Sequence, residues 1–133
     1  MSTVFLDTVG LIALWDRADQ WHGVAEQAYR KAKAANCEFC STSYVLLECG
    51  NAASRRPYRD RVVQMMRRLE ADQALHVPTD DDWRDAWQEY ERGRPGDPGI
   101  VDCISFAVMR RLGLTEAFTN DQHFAAAGFT TLF

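Results

Sequence analysis

Short apolar runs alternate with longer amphipathic segments along the whole sequence. The runs carry the β-branched and aromatic residues typical of buried strands, whereas apolar residues of the longer segments recur at the spacing of one helix face. Where strands alternate with helices, each helix carries the chain back across the sheet and the next strand lies parallel to the last. We therefore expect an α/β fold with three layers, α/β/α, around a central parallel sheet of four to five strands.

Proline, glycine and capping residues set the limits of these segments. The predicted strands are 3–8, 37–41, 74–77, 117–119 and 129–133, the last at a sheet edge. The predicted helices are 9–15, 21–35, 44–53, 58–72, one that starts within 79–82 and includes Tyr90, 100–109, and a short one from Gln122. Helical spacing places Trp21 and Val24 on the buried face of the second helix, and Val63 on that of the fourth.

Length and charge narrow the class of protein. A chain of 133 residues fits a single domain spanning 1–133, and it is long enough to bury a core without disulfides or a structural metal. The net charge of −4 argues against a broad basic surface that coats nucleic acid, but not against an enzyme that acts on nucleic acid through bound cations. The chain enters a strand at once and contains no membrane-length apolar run, so we expect a cytoplasmic protein without a membrane partner.

Four acidic residues stand in apolar surroundings, unlike the other acids of the sequence. Asp7 ends the first apolar strand, Glu48 follows the second strand in an apolar helix, Asp102 lies in the apolar segment 100–109, and Asp121 ends the fourth strand. Each one alone could be a helix N-cap or half of an ion pair, and capping is a strong alternative for Asp121. Together they point to the carboxyl edge of a parallel sheet, which is where such folds place ligands.

Like charges so close repel one another by about 4 kcal/mol per pair at 4 Å with an effective dielectric of 20. A bound cation would remove that cost. Oxygen ligands favour a hard ion, Mg²⁺ or Mn²⁺. Such an ion lowers the pKa of a bound water, which can then attack a phosphodiester in line. The four acids together would hold such an ion.

At these residues the sequence resembles the PIN-domain nucleases, and specifically the VapC toxins of toxin–antitoxin pairs. The resemblance rests on four segments in the same order as in that family: 4–8, 42–48, 97–106 and 119–124. It implies a Mg²⁺- or Mn²⁺-dependent endoribonuclease of a type II pair. Its partners would be RNA, a cognate antitoxin protein and a second copy of the chain, because the family is commonly homodimeric.

The resemblance also assigns residues. Asp7, Glu48, Asp102 and Asp121 match the acidic quartet of the family, and Asp97 matches an acid often found upstream of the third member, which makes it a further metal candidate. Gly99 departs from the pattern, because the family usually has serine or threonine there. The candidate contacts to substrate phosphate or metal-bound water are Thr8, Thr119, Asn120, Arg55 and Arg56. His123 is expected to be structural or exposed.

Three other functions compete with the nuclease. A receiver-type or dehalogenase-type phosphoryl-transfer domain needs a lysine from a later strand, but Lys31 and Lys33 both lie in the second helix. A catalytically silent PIN-like module that binds RNA or protein would not require all four acids. A thiol oxidoreductase could use the C-x-x-C formed by Cys37 and Cys40, although the motif falls in a predicted strand and not at a helix start.

Overall fold

The computed structural model describes residues 2–133, in which five strands form one parallel sheet surrounded by seven helices. The strands are β1 Thr3–Leu6, β2 Glu38–Thr42, β3 Leu75–His76, β4 Glu116–Phe118 and β5 Thr130–Thr131. The helices are α1 Thr8–Trp15, α2 His22–Ala34, α3 Ser43–Ala52, α4 Arg59–Ala71, α5 Asp80–Arg92, α6 Ile100–Leu112 and α7 Gln122–Ala126. The predicted α/β class and the parallel sheet are therefore confirmed.

The strand order places a crevice beside β1. The sheet runs β3-β2-β1-β4-β5, and all four neighbouring pairs are parallel. From β1 the chain first builds outward through β2 to β3, and then returns to add β4 and β5 on the other side. At such a switch of direction the connections leave the carboxyl ends of two adjacent strands on opposite faces, and the crevice between them is where open α/β sheets bind ligands.

Burial of the central strand shows that helices cover both faces of the sheet. Val4, Phe5 and Leu6 are each at most 1% exposed. Successive side chains of a strand point to opposite faces, so a strand buried along its whole length must be covered on both sides. This produces the predicted three layers, with Phe106 and Phe118 among the largest fully buried side chains.

Gly10 permits an unusually close contact between α1 and β4. A Cβ atom at this position would lie 1.9 Å from the backbone oxygen of Phe118. No side chain fits there, so glycine lets the first helix rest directly on the backbone of the neighbouring strand. The contact brings the start of α1 next to the end of β4.

A buried ion pair joins α5 to α6. Asp82 is 2% exposed and accepts two hydrogen bonds from Nε of Arg111 (3.0 and 3.1 Å) and one from its Nη2 (2.9 Å). Asp82 also accepts a bond from the backbone N–H of Thr79, whose hydroxyl accepts from the backbone N–H of Asp82 and so completes a capping box. Burial raises the pKa of the Asp82 carboxyl, but the bonds from Arg111 and Thr79 outweigh it and the net shift is downward.

Several sequence predictions about helix faces and element limits are wrong. Trp21 and Val24 are 46% and 44% exposed, because α2 turns the smaller Ala25 and Ala32 toward the core. Val63 is 41% exposed, because α4 turns Val62 and Leu69 inward instead. The first strand ends at Leu6 and not at position 8, since the next residue already caps α1. The last strand has two residues where five were predicted, although its edge position is confirmed.

Candidate functional site

Asp7 occupies the carboxyl end of β1 and is almost completely buried. It is the N-cap of α1, with its Oδ2 accepting a hydrogen bond from the backbone N–H of Val9 (3.3 Å), and it is 2% exposed. The pKa of Asp7 is raised to about 7, first by burial and then by the charge of Asp102, with a smaller rise from Asp121. A capping carboxylate is usually solvated and ionises readily, so the raised pKa of Asp7 indicates a role beyond capping α1.

Thr119 connects two of the predicted acids. Its hydroxyl donates to Oδ2 of Asp7 at 2.8 Å and accepts from the backbone N–H of Asp121 at 3.1 Å. Both bonds to Asp7 use the same oxygen, which leaves Oδ1 for another ligand. Thr119 itself is 0% exposed, and its hydroxyl holds Asp7 and the backbone of Asp121 in place.

Asp102 lies in the first turn of α6 and is partly buried. Its pKa is raised to about 6, by burial first and then by the charges of Asp121 and Glu48, while the charge of His123 opposes the rise. A carboxylate oxygen of Asp102, a carboxylate oxygen of Asp121 and a ring nitrogen of His123 lie within 4.8 Å of one another. Asp102, at the start of α6, and Asp121, the cap of α7, thus face the same small volume.

Glu48 reaches this volume from α3. It is exposed, contrary to what its apolar neighbours in the sequence suggest, because α3 turns Val45, Leu46 and Cys49 inward and leaves Glu48 outside. The Thr8 hydroxyl donates to its Oε1 at 2.7 Å. The pKa shifts show that all four acids act on one another: Asp7 responds to Asp102 and Asp121, and Asp102 responds to Asp121 and Glu48.

Asp121 and His123 form the rim of the cluster. Asp121 is the N-cap of α7, so the capping role considered for it is confirmed, and its Oδ1 accepts from the backbone N–H of His123 at 2.9 Å. Nδ1 of His123 lies 3.2 Å from the same oxygen, and Nε2 lies 3.0 Å from the backbone oxygen of Gly96. His123 was expected to be structural or exposed, and its side chain is 40% exposed. Its contact with Asp121 was not predicted, although a position two residues after a capping acid is a signal for such a contact.

The remaining predicted residues lie at the margin of the cluster or away from it. Asp97 is exposed and its Oδ2 accepts from the backbone N–H of Arg94 at 2.8 Å, so a metal contact would use its other oxygen. Asn120 is partly buried between two residues of the site. Arg55 and Arg56 are exposed in the turn after α3, and within residues 2–133 neither forms an ion pair with the acids.

The donor set fits a hard divalent cation. Asp102 and Asp121 present carboxylate oxygens to one volume together with a ring nitrogen of His123, and the pKa values of Asp7 and Asp102 are raised first by burial and then by the neighbouring acids. A bound cation would lower both pKa values and remove the repulsion. The α6 N-cap is Gly99, and it forms no side-chain capping bond. The position at which the family usually has a hydroxyl is therefore next to the site.

The C-x-x-C cysteines form no disulfide, and one of them is a buried thiol. All four cysteines are free, and burial raises the pKa of Cys40 to about 12. The nucleophile in thiol chemistry is the thiolate, which this pKa suppresses at neutral pH. Cys37 precedes β2 and lies within 3.3 Å of the Ser2 hydroxyl.

Comparison with known proteins agrees with this geometry. The model of the PIN domain family matches residues 4–130. The 23S rRNA-specific endonuclease VapC20 of Mycobacterium tuberculosis, in strains CDC 1551 and H37Rv alike, is 31% identical over 127 residues, which cover 95% of each chain. A crystal structure of M. tuberculosis VapC20, described as a Sarcin-Ricin loop cleaving toxin, superposes with a TM-score of 0.77 at 27% identity over 96% of each chain. The predicted resemblance is confirmed, and the chain belongs to the PIN domain family.

Proposed function

We propose that this protein is an endoribonuclease that uses Mg²⁺ or Mn²⁺ and is the toxin of a type II toxin–antitoxin pair. The observation that carries the proposal is the cluster of Asp102, Asp121 and His123 at the switch point of a PIN-domain sheet, with Asp7 and Glu48 near enough for their charges to couple to it. The likeness to VapC20, named as an rRNA endonuclease, supports the reaction class. We propose further that residues 1–133 form a single domain that works in the cytoplasm.

The cation would be held by Asp7, Asp102 and Asp121, with Glu48 and Asp97 as further ligands. When bound, it would supply a water of lowered pKa and neutralise charge on the scissile phosphate. Two threonines hold the candidate ligands in position. Thr119 holds Asp7 and the backbone of Asp121 in a fixed relation, and Thr8 holds Glu48 at the rim through a 2.7 Å bond.

The substrate proposed for the first assay is the ribosomal RNA segment after which the structural relative is described, the sarcin-ricin loop. Arg55, Arg56 and Asn120 are proposed to contact its phosphates, and Thr8 to contact a metal-bound water. Arginine suits this role because its planar guanidinium donates two parallel hydrogen bonds to a phosphate. Replacing Arg55 or Arg56 with glutamine should raise KM with little change in kcat.

The partners are proposed to be an antitoxin protein and a second copy of the chain. A surface of exposed apolar side chains supports an interface on α3 and α5: Leu47, Trp83, Trp87 and Tyr90 are between 40% and 64% exposed. The rings of α5 touch edge to face at 5.8 and 5.5 Å. Contiguous patches of this kind mark interaction sites on soluble proteins. Light scattering of Trp87→Arg beside the wild type tests the homodimer. None of the helices within residues 2–133 has the length and apolar character that a membrane span requires.

The decisive assay compares cleavage of sarcin-ricin loop RNA by the wild type and by Asp102→Asn, with Mn²⁺, with Mg²⁺ and with a chelator. We expect cleavage only by the wild type and only with a divalent ion. An exposed-acid variant, Asp85→Asn, is the matched control and should cleave normally, because Asp85 lies outside the cluster on α5. Equal activity of the wild type and Asp102→Asn, or activity in the chelator, would leave the silent RNA- or protein-binding module as the better description.

A further inference from the structure

His123 lies between two parts of the site that the chain builds separately. Its Nδ1 faces Oδ1 of Asp121 at 3.2 Å, within α7 and its cap, while its Nε2 faces the backbone oxygen of Gly96 at 3.0 Å, in the loop after α5. The hydrogen bond to Gly96 spans 27 residues of sequence, whereas the contact of Nδ1 with Asp121 spans two. Both ring nitrogens therefore have oxygen partners, and rotation of the ring breaks both contacts at once.

The loop reached by His123 leads directly into the helix that carries Asp102. Within it, the backbone N–H of Arg94 donates to Oδ2 of Asp97, and the backbone N–H of Asp97 donates to the Arg94 carbonyl oxygen at 2.9 Å. Gly96 has φ of +99°, a conformation that favours glycine and turns the peptide so that its carbonyl faces α7. The loop thus closes on itself but is joined to α7 through the imidazole.

We infer that His123 is a positioning residue that ties the 93–99 loop to Asp121 and so fixes the separation of Asp102 from Asp121. Asp102 lies only three residues after the end of the loop, so movement of the loop would also move the first turn of α6. The inference rests on the proposed function for its activity readout, and on the geometry alone for its structural readout. Supporting residues of this kind typically change metal affinity or activity by about ten- to a hundredfold when removed.

Asparagine and glutamine can separate the two bonds. In His123→Asn the side-chain amide nitrogen lies close to the former Nδ1, so this variant keeps the contact with Asp121 and loses the hydrogen bond to Gly96. In His123→Gln the amide nitrogen reaches the former Nε2, so it keeps the loop bond and loses the one to Asp121. His123→Ala removes both. His22→Asn is the matched control, because His22 also bonds a backbone oxygen (Ala13, 2.9 Å) but lies on α2, outside the site.

Three measurements are made on the full chain: deuterium exchange of peptides covering 93–99, Mn²⁺ affinity by calorimetry, and steady-state RNA cleavage. We expect His123→Ala and His123→Asn to raise loop exchange about tenfold, while His123→Gln keeps the loop protected. We expect His123→Ala to lower kcat by about ten- to a hundredfold at saturating Mn²⁺ with KM within about twofold of the wild type. His22→Asn should change none of the three.

Two results would overturn the inference. Unchanged loop exchange in His123→Ala would show that the bond to Gly96 does not hold the loop. A loss of Mn²⁺ affinity in all three His123 variants without loop exchange would instead make His123 a direct metal ligand. A wild type that cleaves no RNA would refute the proposed function but not this inference, because loop exchange and Mn²⁺ affinity still decide it.

Discussion

Replacing Asp7 with asparagine should stabilise the metal-free protein while abolishing cleavage. The Asp7 carboxyl has a pKa of about 7 in the folded protein against 3.8 when unperturbed. Each unit of pKa corresponds to about 1.36 kcal/mol, so holding Asp7 ionised in the fold costs roughly 4 kcal/mol above neutral pH. Asparagine carries no charge, is as good an N-cap, and its carbonyl can still accept from Thr119. We expect a gain of about 2–4 kcal/mol in the free energy of unfolding.

The pH dependence identifies the cause. Because the folded pKa is raised, the protonated carboxyl favours the fold: this contribution is complete below about pH 4 and is lost as pH rises through about 7. The wild type and Asp7→Asn should therefore have similar stability near pH 4, and the variant should be the more stable one near pH 8. All other titrating groups are common to both proteins, so the difference between the two curves reports Asp7 together with its coupling to Asp102 and Asp121.

Thermal and chemical denaturation in a chelator provide the measurement. For a chain of this length, 1 kcal/mol shifts Tm by about 3–5 °C, so the variant should melt on the order of 10 °C higher near pH 8. Asp85→Asn, at an exposed site, should lie within about 0.5 kcal/mol of the wild type at both pH values. Adding millimolar Mn²⁺ should raise the Tm of the wild type far more than that of Asp7→Asn, because only the wild type binds the ion with full affinity. A variant less stable than the wild type near pH 8, or a pH-independent difference, would refute the reasoning and make Asp7 a structural anchor.

Further expectations concern packing, the α5–α6 ion pair and the thiols. Gly10→Ala should lower the free energy of unfolding by at least about 3 kcal/mol, because the added methyl group collides with the backbone carbonyl of β4. The control Gly50→Ala, with open space around it in α3, should raise the free energy of unfolding by up to about 1 kcal/mol. Equal effects of the two substitutions in denaturant unfolding would contradict the close contact at Gly10. Asp82→Asn should lower the free energy of unfolding by about 2 kcal/mol at neutral pH, because it weakens the hydrogen bonds to Arg111. The loss should shrink as pH falls below about 4, because the pKa of Asp82 is lowered in the fold and its stabilising charge disappears as it is protonated. The control Asp81→Asn, at an exposed position, should change stability little. Cys37→Ser should leave RNA cleavage within about twofold of the wild type, and a tenfold loss would reopen the thiol hypothesis.

The fold was predictable because its signals are local. Period-two and helical patterns identify strands and helices, and the handedness of crossovers makes their alternation a parallel sheet. Helix faces were less predictable: Trp21 and Val63 follow the apolar pattern but lie outside, since α2 turns Ala25 and Ala32 inward and α4 turns Val62 and Leu69 inward. An apolar residue on an amphipathic helix has two possible destinations, the core or a partner surface, and the pattern is the same for both.

Some residues of the site could be predicted from the sequence and others could not. Asp7, Glu48, Asp102 and Asp121 stood out in the sequence because a charge within an apolar run is costly unless something balances it. Their neighbours did not stand out. Thr119 is an ordinary strand-end hydroxyl in the sequence, and only its complete burial between two acids gives it a supporting role.

The sequence by itself determined the α/β class, the parallel sheet and the four acids, because each depends on residues near one another in the chain. Only the tertiary structure decided which oxygen of Asp7 remains available, that Glu48 is exposed, and that His123 bonds to Gly96. These are contacts between elements 27 to 112 residues apart. They depend on the strand order β3-β2-β1-β4-β5 and on the approach of α1 to β4 at Gly10, and long-range packing of this kind leaves no periodic signal in the chain.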